Sequence, residues 1–143
     1  EEGETPQQAA VREAVEELNI QPEQIDILGE IDYLVFERST IHCFVGRLNL
    51  DWMTIVPNEE VARIFTVPLS TLLTIQPVYY QLDSKVVPEC DFPFERLRGG
   101  ISYPFSYQKR SIPFYEQLPE NIWGMTAQFT HRFTEIINQQ TSP

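Results

Sequence analysis

Three carboxylates early in the chain carry the first chemical suggestion. Glu13, Glu16 and Glu17 lie within V-R-E-A-V-E-E-L, and a helix turning about 100° per residue places them inside an arc of roughly 100°. Val11, Ala14, Val15 and Leu18 fall on the opposite side, the apolar stripe of an amphipathic helix. Acids so spaced repel by roughly 0.2–0.5 kcal/mol per pair, so helix stability gives no reason to gather them. A hard divalent cation does, because Mg²⁺ and Mn²⁺ take oxygen ligands. A bare E-x-x-E-E is more simply a solvated acidic face, and the metal reading needs a longer pattern behind it.

The element that must hold these residues is well marked. Thr5 suits an N-cap, Pro6 the first helical position, and Gln8 completes a capping box. Nothing interrupts a helix from there to Leu18. Asn19 can adopt the left-handed conformation that ends a helix, and Pro22 blocks its continuation.

The longer pattern exists. Glu4, seven intervening residues and then R-E-A-V-E-E-L-N-I (Arg12 to Ile20) resemble the Nudix box, G-x5-E-x7-R-E-U-x-E-E-x-G-U, where U is a bulky apolar residue. Glu4, Arg12, Glu13, Glu16, Glu17 and Ile20 match it. Ala14 is small for its slot, and Asn19 replaces the last glycine, a mild exchange at a left-handed helix end. The box's first glycine would fall three residues before Glu1, so the chain begins inside the motif. The resemblance therefore implies a domain whose first strands precede Glu1.

Composition narrows the function classes. The 143 residues suit one domain, with 42% hydrophobic and 22% charged residues, ordinary for a globular protein. A net charge of −11 argues against nucleic acid or an anionic membrane as a main partner. It suits an enzyme that handles phosphates through divalent cations. Eleven of the 21 acidic residues precede Arg38, with Arg12 the only basic residue among them. No apolar run approaches the roughly 18 residues of a membrane helix. Cys43 and Cys90 have no CxxC partner, so two free thiols in a reducing cytoplasm are expected.

Beyond the helix, Ile25 to Phe36 reads as a strand with a bulge or bend at Gly29, Glu37 to Thr40 as a turn, and Ile41 to Leu48 as the returning strand. His42 in that strand reads as a packing or surface residue. Pro57, Asn58 and Glu59 suggest a turn, Ala62 to Val67 a short strand, and Pro68 to Leu73 a helical turn. Glu59 and Glu60 sit in a loop from which a side chain can reach a site built elsewhere. The segment from Ile75 to Arg110 mixes prolines with Tyr79, Tyr80, Phe92, Phe94, Tyr103, Phe105 and Tyr107, and suggests short strands and ordered loops. Its end holds Arg96, Arg98, Lys109 and Arg110 with no acid between, either a substrate-anion site or a solubilising set. Ile112 to Glu116 reads as a strand. Asn121 is a candidate N-cap for a last helix whose stripe runs through Ile122, Met125, Phe129, Phe133, Ile136 and Ile137.

Glu60-Val61, F-T-V-P-L (Phe65 to Leu69), F-Y-E (Phe114 to Glu116) and N-I-W-G-M-T-A (Asn121 to Ala127) look like the coenzyme A pyrophosphatase branch of Nudix hydrolases. The resemblance implies an α/β/α sandwich around a mixed sheet, as one domain of helices and strands. It implies hydrolysis of coenzyme A or a derivative at its diphosphate, giving 3′,5′-ADP and 4′-phosphopantetheine, with Mg²⁺ or Mn²⁺. Glu13, Glu16 and Glu17 would be the metal ligands, Glu16 would also belong to the catalytic set, and Arg12 and Glu4 would brace the box. Glu60 would be a further ligand or the general base, with Glu59 as the fallback. Two alternatives stand beside this. One is another nucleoside diphosphate derivative as substrate, the other an inactive Nudix-like binding module. A sheet edge left bare would invite a second copy, giving a homodimer.

Overall fold

Thr5 caps the first helix as its sequence requires. In a computed structural model of the chain, which describes residues 3–36, 38–83, 85, 87, 89–105 and 109–141, the Thr5 side chain accepts from the Gln8 N–H, and the Gln8 side chain accepts from the Thr5 N–H. Helix α1 spans Pro6–Leu18. Asn19 then turns left-handed, at φ 52° and ψ 49°, and its N–H and that of Ile20 both donate to the Val15 carbonyl. The stripe of Val11, Ala14, Val15 and Leu18 is half-buried, and Ile20 beyond the cap is buried.

Strands β1 (Ile25–Phe36) and β2 (Ser39–Leu48) form an antiparallel hairpin, with register breaks at Ile27/Gly29 and Glu30/Asp32. The bulge at Gly29 is the one its sequence suggests. The second bulge, around Ile31, sets Glu30 opposite Phe44 and Tyr33 opposite His42. His42 Nδ1 meets Glu30 Oε1 at 2.6 Å and stacks on Tyr33 at 5.9 Å between centroids, so it serves hairpin packing as expected. Strand β2 begins at Ser39, earlier than the expected Ile41, because Ser39 and Thr40 continue the ladder opposite Phe36 and Val35. Glu37 of the expected turn lies outside the described residues, as do Pro88 and Tyr107 further on.

From Ala62 to Val67 no strand forms. A strand needs a ladder partner, and this segment has none among the described residues. Helix α2 is a single turn, Leu69–Leu72, beginning after Pro68.

The chain divides into two compact units, Glu1–Gln76 with Gln128–Pro143, and Pro77–Ala127. In the second, β3 (Val78–Leu82) pairs antiparallel with β4 (Arg110–Phe114). Pro113 is tolerated because a two-stranded ribbon leaves one side of each strand without ladder bonds. Phe114 also bridges Trp123, and their rings stack at 5.4 Å. That bridge delays the last helix. Asn121 and Ile122 stay outside it, with the Ile122 carbonyl accepting from the Tyr115 N–H, and α3 runs from Gly124 to Thr141. Gly124 enters the helix at φ 61°, which its missing Cβ permits. Consequently Met125 is exposed, whereas Phe129, Phe133, Ile136 and Ile137 are half-buried as the stripe expects.

Phe92, Phe94, Tyr103 and Phe105 cluster with centroids 5.0–6.3 Å apart, closing the loop that carries Arg96 and Arg98. Helices and antiparallel strands together give the α+β class. The described strands pair only antiparallel, in two separate ribbons, and by themselves form no mixed sheet. No described helix is long and apolar enough to cross a membrane.

One acid fixes the open end of the first ribbon. Asp26 is held below its ordinary carboxylate pKa by hydrogen bonds from Asn49 and from Arg47, the latter at 2.7 Å. A lowered folded-state pKa stabilises above the unfolded value and is lost as pH falls through the folded one. Denaturant titrations of the native chain and Asp26→Asn should therefore differ at pH 7. The gap should close as the pH drops below about 4. A gap that persists in acid would contradict this role for the charge.

Candidate functional site

The box residues sit where α1 puts them. Glu13 and Glu16 are each 57% exposed on its acidic side, and Glu17 is exposed beside them. Arg12 lies at the margin of that side. Its Nε donates to both Glu4 oxygens, at 3.1 and 3.4 Å, and its Nη2 to Glu4 Oε2 at 3.4 Å. The brace between Glu4 and Arg12 is thus formed, with Glu4 only 15% exposed. The same guanidinium reaches Glu13 at 2.8 Å and Glu16 at 3.4 Å through Nη1. Hydrogen bonds to Glu4 first, then Glu13, push the Arg12 pKa further up, so the charge is permanent. One cation therefore serves three acids. Part of the repulsion along α1 is cancelled within the helix itself.

Glu59 and Glu60 belong to the same unit, and a specific contact brings their turn to α1. The Asn58 N–H donates to the Glu17 carbonyl at 2.9 Å. Carbonyls in the last helical turn lack an intrahelical partner, and this bond satisfies one of them. The Asn58 side chain then accepts from the Glu60 N–H at 3.0 Å, and the Val61 N–H donates to the Asn58 carbonyl at 3.3 Å. This is an Asx turn, which asparagine forms readily. From sequence, Asn58 reads only as part of the Pro57–Asn58–Glu59 turn, without the contact to α1. The signal was present in Pro57-Asn58, a turn-opening pair, but its partner is 41 residues away in the chain, at Glu17.

The donor set suits a divalent ion in chemical type. Every candidate ligand is a carboxylate, the donor type that Mg²⁺ and Mn²⁺ take. Glu13 has Glu16 and Glu17 as its helical neighbours at i+3 and i+4, within reach of a shared ion. Among the described residues no group of three or more His, Cys, Asp or Glu side chains is gathered to hold a metal ion. The match is therefore one of donor type and helix side, without a gathered cluster among the described residues.

The basic residues fall in the other unit, on two elements. Arg96 and Arg98 lie on the aromatic-closed loop next to the Gly99-Gly100 turn, while Lys109 precedes β4 and Arg110 opens it. Leu97 between the arginines is extended, at φ −94° and ψ 144°, and half-buried, whereas Arg96 and Arg98 are exposed. Arg96 has Glu95 at 3.9 Å and Lys109 has Asp83 at 3.9 Å, loose exposed pairs of little energetic weight.

Arg12→Ala would leave the acidic side of α1 uncompensated and should lower the melting temperature. Because the lost term is screened, the deficit should fall by more than half between about 0.01 and 1 M salt, as the Debye length shrinks from about 30 to 3 Å. Thermal melts at the two ionic strengths measure it. A salt-independent deficit would assign Arg12 a packing role instead.

Comparison with known proteins agrees with this helix. The family model described as NUDIX domain matches residues 1–90. The chain is 28% identical over 129 residues to the uncharacterized Nudix hydrolase NudL of Photorhabdus laumondii subsp. laumondii, an alignment covering 90% of this chain and 58% of that protein. The chain thus spans under three fifths of the length of the curated relative it matches. With more than half of its residues inside the family match, and with the acidic helix and its Glu4–Arg12 brace formed, the chain belongs to the Nudix family.

Proposed function

We propose that this chain supports divalent-metal-dependent hydrolysis of a diphosphate linkage, with coenzyme A or a derivative as substrate. The products are then 3′,5′-ADP and 4′-phosphopantetheine. One observation carries the reading. The Glu59–Glu60 turn is bonded to the end of the helix that bears Glu13, Glu16 and Glu17, which ties the backbone of Glu60 to the Glu17 end of that helix. Support for the coenzyme A branch comes from the W-G-M-T-A run, whose Trp123 stacks on Phe114 of F-Y-E.

A diphosphate is anionic, and water is a poor nucleophile at neutral pH. Bound Mg²⁺ or Mn²⁺ would screen the substrate's charge and acidify the attacking water. Glu13, Glu16 and Glu17 supply the carboxylate oxygens that would hold it. Arg12 stays with Glu4, where that half-buried carboxylate pairs with it and keeps the helix oriented. Glu60 accepts the proton of the attacking water or adds a ligand, and Glu59 is the neighbour that could replace it. Arg96, Arg98, Lys109 and Arg110 are the candidates for an anionic group of the substrate, with a solubilising set as the alternative.

With the full-length protein and Mg²⁺ or Mn²⁺, coenzyme A should head a panel of nucleoside diphosphate derivatives ranked by kcat/KM. A different leader would replace the substrate but keep the chemistry. Glu17→Gln should cut the rate by about a hundredfold or more, the loss of a group worth several kcal/mol in the transition state. Unchanged turnover would remove Glu17 from the ligands. Arg98→Ala should raise KM for coenzyme A by about tenfold and leave kcat alone, the mark of lost uniform binding.

A further inference from the structure

Glu60 is exposed on a surface turn, and such a side chain is ordinarily free to wander. Two hydrogen bonds of Asn58 restrain this one. The backbone N–H of Asn58 is committed to the Glu17 carbonyl at 2.9 Å, which fixes the turn on the last turn of α1. The side-chain oxygen of Asn58 is committed to the Glu60 N–H at 3.0 Å, which fixes the peptide that carries the Glu60 side chain. Only one residue, Glu59, separates the anchor from the restrained peptide. Asn58 is itself half-buried, so its amide is partly shielded from competing water. The Glu17 carbonyl it meets belongs to a residue whose carboxylate is one of the helical acids.

We propose that Asn58 is a positioning residue, whose paired hydrogen bonds couple the Glu60 backbone to the end of the acidic helix and so present the Glu60 carboxylate at the Glu17 end of the row. It acts through Glu60 and touches neither substrate nor metal. The inference rests on the reading of Glu60 as ligand or base, and it separates the two bonds by chemistry. Alanine at this position keeps the N–H that holds the turn on α1 and deletes only the acceptor for Glu60. Aspartate restores an acceptor of the same reach, and serine a weaker, uncharged one.

The test uses the full-length protein and Mn²⁺ alone as the probe, with kcat measured alongside. In the metal-free protein, solvent exchange of the Glu60 amide should quicken by about fivefold to tenfold in Asn58→Ala, the worth of one neutral hydrogen bond, and return toward the native rate in Asn58→Asp. Whichever of Mn²⁺ affinity or kcat falls in Glu60→Gln should also fall by about tenfold in Asn58→Ala, recover in Asn58→Asp, and recover in part in Asn58→Ser. Added to Glu60→Gln, Asn58→Ala should change that quantity no further. If Glu60→Gln moves neither quantity, the reading of Glu60 fails and takes the role of Asn58 with it. If Glu60→Gln moves one and Asn58→Ala does not, or if the amide exchange is unaltered, the role of Asn58 alone is overturned. Matched melting temperatures across the variants exclude unfolding as the cause.

Discussion

A helix ends with carbonyls that have no partner inside it, and what satisfies them decides what sits beside the helix. In α1 the Val15 carbonyl takes the N–H groups of Asn19 and Ile20, and the Glu17 carbonyl takes that of Asn58. The first closes the helix on itself, and the second imports a turn from 41 residues away. Asn19 makes both arrangements compatible. By going left-handed it carries the chain off the helix axis within one residue, and the Glu17 carbonyl stays open to an outside donor. Glycine would do this with less strain. Asparagine does it at small cost because its short polar side chain tolerates that region.

The same helix is an electrostatic compromise. Three acids on one side would repel, yet Arg12 is bonded to two of them and to Glu4 outside the helix. The bonds differ in character. Glu4 is mostly buried and contacted by two guanidinium nitrogens, whereas Glu13 and Glu16 are exposed and share Nη1. The inner pair is the less screened and holds the arginine in place. The outer pairs are more exposed and therefore more strongly screened.

How much of this could be read from the sequence follows the range of the forces involved. Helix α1 was legible to the residue because Thr5, Pro6, Gln8 and Asn19 act within four positions of where they sit. The β1–β2 hairpin was legible from its β-branched and aromatic runs, apart from the bulge near Ile31, which no turn residue announces. Elements defined by distant partners were not. Ala62 to Val67 has the composition of a strand and, among the described residues, no ladder to join, and α3 starts at Gly124 rather than Ile122 because Trp123 bridges Phe114. Local pattern reports what a segment can become, and a remote partner decides whether it does.

The candidate site divides along the same line. Glu13, Glu16 and Glu17 share a side of α1 because helical periodicity alone dictates it, so sequence sufficed to place them together. Arg96, Arg98, Lys109 and Arg110 share only an absence of intervening acids; Glu95 precedes Arg96 just outside that window, and folding brings Asp83 near Lys109. A count of charges along the chain therefore misjudges a loop where it does not misjudge a helix. Glu60 lies between these cases. Its loop has no periodicity to place it, yet a residue two positions earlier ties its backbone to the end of an element that does.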